Sequence, residues 1–173
     1  MPYENPGSSN ICICTRDRFW FVLSEKISIT FCMEEEDVLY MLSQNDFSIG
    51  SDGSGLPLHK QPEKGIPHPR NFGTFPRFLR IAREKKLCSL PVAVRRITGQ
   101  SADYIGLKDR GYVKGGYVAD LTVFDPEEVA DRARYGSPFQ KPAGIFHVFV
   151  AGKPAVLNGC QTSLRAGQIL LKK

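Results

Sequence analysis

Residues 46–55 read Asp46-Phe47-Ser48-Ile49-Gly50-Ser51-Asp52-Gly53-Ser54-Gly55, and the conformation of this stretch decides the architecture. As an extended strand over 46–50 it places Ser48, Gly50 and Asp52 on one face and Phe47, Ile49 and Ser51 on the other, because side chains alternate along a strand. The first face is small and then acidic. In a parallel barrel, small inward residues near a strand's C-terminal end leave space for a ligand. Asp52 then stands at the mouth, where such barrels carry their catalytic groups. Gly53 and Gly55 let the backbone turn away at once. The plainer alternative is an Asp-Gly turn ending an ordinary strand, and spacing alone leaves both open.

Toward the N-terminus, Glu34, Glu35, Glu36 and Asp37 precede an apolar stripe of Val38, Met41 and Leu42. This predicts a helix over 34–44 with its acidic residues at the positive end of the dipole. Before it, Ile27-Ser28-Ile29-Thr30-Phe31 alternates and is β-branched, as a strand is. Residues 1–26 open with Pro2, Pro6, Gly7, Ser8 and Ser9 and carry no motif.

Toward the C-terminus, 51–73 is a glycine- and proline-rich stretch of a length that is usually functional or disordered. Thr74 is placed to cap a helix carrying Phe75, Phe78, Leu79 and Ala82, with Pro76 in its first turn. Ser89 caps another, with Leu90, Ala93, Val94 and Ile97 at helical spacing and Gly99 as its stop. After Gly111 the period changes to two. Leu121 to Phe124 form a strand ended by Asp125-Pro126, and 146–150 and 154–157 flank the hairpin signal Ala151-Gly152-Lys153. Asn158-Gly159 makes a further turn, leaving Ile169 to Leu171 as a last strand. The order predicts an α/β unit followed by a small all-β appendage.

At 173 residues and 42% hydrophobic, the chain can bury a core and is not a disordered tail. Its net charge of +5 is spread among 18 acidic residues, and the basic clusters Arg80 to Lys86 and Arg95-Arg96 fall at helix C-termini, where cations are favoured. These read as solvated faces, so no nucleic-acid partner is expected. The five cysteines, Cys12, Cys14, Cys32, Cys88 and Cys160, form no Cys-x-x-Cys and read as reduced thiols. No secretory signal opens the chain, and the apolar run Phe19 to Leu23 is too short to cross a bilayer. A soluble, cytoplasmic protein without a membrane partner is the expectation.

His59 and His68 lie near Asp52, but their spacing matches no standard metal-ligand pair. His147, amid β-branched and aromatic residues, reads as a strand or core histidine. The glycines at 50–55 lack the lysine of a phosphate-binding loop, and no Gly-x-Ser-x-Gly elbow marks a serine nucleophile.

Two runs carry more, and the second of them is specific. Ile49-Gly50-Ser51-Asp52-Gly53 and His68-Pro69-Arg70-Asn71-Phe72-Gly73-Thr74-Phe75-Pro76-Arg77 resemble the N-acyl-D-amino-acid deacylase (D-aminoacylase) branch of the amidohydrolases. So do Gly106-Leu107-Lys108-Asp109-Arg110-Gly111, Ala119-Asp120-Leu121-Thr122-Val123-Phe124-Asp125 and His147-Val148-Phe149-Val150-Ala151-Gly152-Lys153, in order. The resemblance covers about residues 27–173 and implies the C-terminal part of a metal-dependent (β/α)8 barrel enzyme. In it, 27–111 is a partial barrel holding the last two strands, 112–173 is part of a β-sandwich, and 1–26 is unmatched.

The activity implied is hydrolysis of the amide of an N-acyl-D-amino acid by a zinc-activated water. The resemblance gives Asp52 the proton transfer between water and leaving amine, with a possible place as second-site metal ligand. It gives Arg70 the substrate's α-carboxylate, which a guanidinium fork suits. The family's His-x-His pair is missing from this sequence, so the chain is expected to be truncated, to lack most zinc ligands and to be inactive alone. A non-catalytic module that self-associates through exposed sheet edges is the alternative.

Overall fold

A computed structural model of the chain describes residues 11–13, 20–22, 33–58 and 66–170. The chain divides into two compact units, Met1–Met41 and Leu42–Lys173. In the first, β1 (Ile11–Ile13) pairs antiparallel with β2 (Trp20–Val22), Cys12 facing Phe21. This ladder falls in the stretch where the sequence offers no pattern. The strand expected at 27–31 lies outside the described residues. Helix α1 (Glu35–Ser43) matches its expected span to within a residue at each end and holds Glu35, Glu36 and Asp37 in its first turn. There their charges face the free N–H groups.

The second unit is built on α2 (Arg70–Glu84), α3 (Leu90–Ile97) and α4 (Gly99–Ile105). Its core joins Phe78, Leu79 and Ala82 of α2 with Ala93 of α3 and Val129, which follows the sheet's first strand. The apolar spacing read from the sequence thus finds its partners, except that Phe75 and Leu90 are exposed, at 41% and 43%. Helix α2 also begins earlier than expected. Pro69 already has helical angles, φ −53° and ψ −25°, and the carbonyls of His68 and Pro69 receive the N–H groups of Asn71, Phe72 and Gly73 at 3.0–3.1 Å. The helix therefore starts four residues before Thr74, whose hydroxyl donates to the Arg70 carbonyl rather than capping. Pro76 consequently sits inside the helix, where it removes the bond to the Phe72 carbonyl.

Gly99 does not stop α3 but opens α4 after a break at Thr98. Its value is closeness. A Cβ there would lie 2.5 Å from the Tyr112 ring, so only glycine lets that ring pack against the helix start.

The expected strand at 46–50 is turn and then irregular chain, with no strand partner among the described residues. It is held instead by Arg96, which is 1% exposed although the Arg95-Arg96 pair reads as a solvated helix end. Its Nε donates to the Phe47 carbonyl at 2.9 Å and its Nη1 to the Leu42 carbonyl, while its own carbonyl accepts the Ile49 N–H at 3.3 Å. The guanidinium also lies over the Phe78 ring, 4.9 Å from its centre. The cation is held by the carbonyls on Nε and Nη1 and by the aromatic face that covers it, while Nη2 is buried without a hydrogen-bond partner.

Beyond the helices, β3 (Leu121–Phe124), β4 (Ile145–Val150), β5 (Lys153–Leu157) and β6 (Cys160–Gln161) form one antiparallel sheet in sequence order. Both tight turns have positive φ at each central residue, 50° and 75° at Ala151-Gly152 and 48° and 69° at Asn158-Gly159. That is the geometry whose twist matches paired strands. The second turn puts Cys160 directly opposite Leu157, so the last strand follows at once. The strand expected at 169–171 is absent at 169–170, and 171 lies outside the described residues.

Helix α2 docks on the segment after β3 through buried charge. Asp131, 4% exposed, takes Arg80 Nε and Arg134 Nη1, each at 3.1 Å, and Arg83 Nη1 donates to the carbonyls of Pro126 and Val129.

Arg96→Ala should lower the unfolding free energy by about 2 kcal/mol, because two part-buried carbonyls lose their donor. Urea unfolding checks this. Arg96→Lys should recover only part, since an ammonium is not a planar fork.

Candidate functional site

Asp52 and Arg70 come from different kinds of backbone. Asp52 lies in an irregular loop with φ 47°, a left-handed conformation that aspartate tolerates better than most residues. Strand alternation requires extended backbone, so the shared face expected for Ser48, Gly50 and Asp52 does not carry through to Asp52. Arg70 is the first residue of α2. The two side chains meet, Arg70 Nη1 lying 2.9 Å from Asp52 Oδ2.

Asn71 makes that meeting possible. Its Oδ1 accepts the backbone N–H of Ser54, and its Nδ2 donates to the His68 carbonyl at 2.9 Å. Ser51 Oγ accepts the Gly53 N–H at 3.2 Å. The loop at 51–54 is thus laid against the first turn of α2, and Asp52 is delivered to Arg70. The aspartate side chain is 84% exposed and the arginine 46%. Water screens the pair, which is oriented by its neighbours more than stabilised by its own attraction.

His68 stands behind Arg70. Its Nδ1 accepts the Arg70 backbone N–H at 3.0 Å, and its Nε2 is 2.8 Å from the Tyr135 hydroxyl. Both ring nitrogens are therefore engaged. Partial burial, then the nearby charges of Arg70 and Arg77, hold its pKa below the ordinary 6.5. Burial pushes the Tyr135 phenol upward. Tyr135 and Asn71 carry no pattern in the sequence that marks them: Asn71 sits inside a recognisable run, but Tyr135 reaches the site only through the tertiary fold. His147 is a strand residue as expected, its Nδ1 accepting the Asn158 N–H at 3.3 Å. His59 lies outside the described residues.

A tight zinc site with an open position needs about three protein ligands. Among the described residues, no three histidine, cysteine, aspartate or glutamate side chains gather into a metal-holding group. Asp52 already faces a guanidinium. The described residues by themselves do not fit the metal. Among them, too, no helix is long and apolar enough to cross a membrane.

No family model matches the sequence. Curated relatives do. The chain is 42% identical over 146 residues to a D-aminoacylase of Alcaligenes xylosoxydans xylosoxydans, covering 84% of this chain and 29% of that protein. It is 40% identical over 144 residues to an N-acyl-D-glutamate deacylase of the same organism, covering 83% and 28%. Its fold matches the crystal structure of a D-aminoacylase described as defining a novel subset of amidohydrolases, with TM-score 0.75 and 41% identity over 84% of this chain and 29% of that one. It also matches the N-acyl-D-glutamate deacylase of Bordetella bronchiseptica complexed with zinc and a phosphonate mimic of the tetrahedral intermediate. There the TM-score is 0.66 and the identity 38%, over 74% of this chain and 26% of that one. The chain thus spans under a third of the length of each of these proteins.

The depressed pKa of His68 has a measurable consequence. Below the ordinary 6.5 the unfolded chain takes up a proton that the folded one resists. The His68 contribution to stability is therefore complete above that pH and is lost as pH falls through the lower folded value. Titration of the His68 ring by NMR should give a pKa below 6.5; a value at or above it contradicts the arrangement.

Proposed function

We propose that this chain, whose sequence and fold resemble the C-terminal part of the N-acyl-D-amino-acid deacylases, supplies the proton-handling carboxylate and the substrate-anchoring arginine of a hydrolase site. The bond cut is the carbon–nitrogen amide of an N-acyl-D-amino acid. The observation that carries this reading is the 2.9 Å meeting of Arg70 with Asp52 at the head of α2. In it, 27–111 is the barrel portion and 112–173 the sandwich portion, with 1–26 outside both.

A guanidinium fork recognises a carboxylate by two parallel N–H donors. Asp52 meets one of these donors with its own carboxylate, Oδ2 against Nη1. A substrate's α-carboxylate presents the same group and competes for it. An ion pair this exposed contributes about 1 kcal/mol or less, so the exchange costs little. Once displaced, Asp52 is free to take a proton from water as its oxygen bonds to the acyl carbon, and to pass it to nitrogen as the C–N bond breaks. The products are a carboxylate and the free D-amino acid.

Zinc is present in the complex of the Bordetella relative, but the described residues do not hold it. The chain alone is therefore inert in this reading.

A second reading, self-association, is favoured by apolar side chains left open on the sheet. Leu121, Val123, Phe146 and Leu157 are each 36–45% exposed. Sedimentation that shows a monomer at high concentration contradicts it.

Calorimetry with N-acetyl-D-leucine tests the primary reading. Arg70→Ala should weaken binding about tenfold or more, whereas Asp52→Ala, by removing the competitor, should strengthen it. Equal affinity of Arg70→Ala and wild type contradicts the reading. With zinc added, the chain alone should release no D-leucine.

A further inference from the structure

Helix α2 has a capping problem at the site. Its N-cap is Pro69, which has no polar side chain, and no side-chain cap bond is made from that position. The first N–H groups of a helix have no partner within it. His68, one residue earlier, supplies what Pro69 cannot, accepting the Arg70 N–H on Nδ1 at 3.0 Å. A backbone N–H only donates, so Nδ1 must carry a lone pair. In the neutral imidazole the proton then sits on Nε2 and is donated to the Tyr135 hydroxyl 2.8 Å away. The rings meet edge to face, centres 5.0 Å apart and planes at 84°, which fixes the imidazole's orientation.

We propose that Tyr135 is a positioning residue for Arg70: by accepting from His68 Nε2–H it holds the imidazole with Nδ1 toward the Arg70 N–H, and His68 in turn holds the helix start that aims the Arg70 guanidinium. This rests on the assignment of Arg70 to the substrate carboxylate. Tyr135 lies 67 residues from His68 and belongs to the loop joining β3 to β4. The sheet portion thereby reaches into the geometry of the site without touching substrate. The same loop is anchored by Asp131, which takes Arg80 and Arg134, so Tyr135 is presented from a fixed base. The lowered pKa of His68 agrees with a ring kept neutral between two arginines.

NMR on the 15N-labelled chain tests this with the tautomer and the Arg70 amide as readouts. In the wild type, His68 should show an unprotonated Nδ1 and a protonated Nε2. Tyr135→Phe should free the imidazole to turn away from the helix start and make the Arg70 amide exchange with solvent about tenfold faster. Core amides such as Phe78 and Val129 should be unchanged, which separates loss of positioning from loss of fold. His68→Asn places an acceptor near the Nδ1 position that needs no phenol, so it should keep the Arg70 amide protected and make that protection insensitive to Tyr135→Phe. An Nδ1–H tautomer in the wild type, or unaltered Arg70 exchange in Tyr135→Phe, overturns the proposal. N-acetyl-D-leucine added to the same samples keeps the two ideas apart. Failure of the wild type to bind it sinks the substrate assignment, while the tautomer and exchange data still decide the link from Tyr135 to Arg70.

Discussion

The Arg96 guanidinium has almost no contact with water, and it holds the Leu42 and Phe47 carbonyls while the Arg96 carbonyl takes the Ile49 N–H. The chain between α1 and the Asp52 loop has no strand partner among the described residues, so these bonds stand in for a ladder. Without them the segment would carry part-buried carbonyls with no donor, which costs more than an exposed ion pair returns. Phe78 links this clamp to the core by lying under the guanidinium and packing with Leu79, Ala82, Ala93 and Val129. The site is thus the free end of a segment whose root is fixed in the helices.

Much of this was legible wherever one residue's conformational needs sufficed. Ala151-Gly152 and Asn158-Gly159 announce their hairpins because few residues accept positive φ at both central positions. The stripe at Phe78, Leu79 and Ala82 announces a buried helix face. Errors arose where a distant neighbour made the choice. Arg96 beside Arg95 looks like a solvated helix end until Phe78 and two irregular carbonyls claim it. Gly99 looks like a helix stop until Tyr112 packs on it. At Asp52, one left-handed residue undoes the face that strand alternation implies.

The family resemblance picked out Asp52 and Arg70 by motif, and the structure places them in contact across a loop and a helix start. It also adds a layer that motifs do not contain. Asn71 carries the loop, His68 caps the helix in place of Pro69, and Tyr135 orients His68. The helix start and the charges of Arg70 and Arg77 make this corner electropositive. Asp52 is the acidic group brought against it, and the corner suits a carboxylate ligand better than it suits a metal cation.

The central claim is that a ligand carboxylate takes the place of Asp52 on Arg70. The 13C resonance of the Asp52 carboxyl, followed in the labelled chain as N-acetyl-D-leucine is added, tests it most directly. The account predicts a saturable shift of that resonance together with the Arg70 side-chain Nε–H signal, and neither shift with the amide analogue that lacks the carboxylate. An Asp52 resonance that stays fixed while the ligand binds would contradict it.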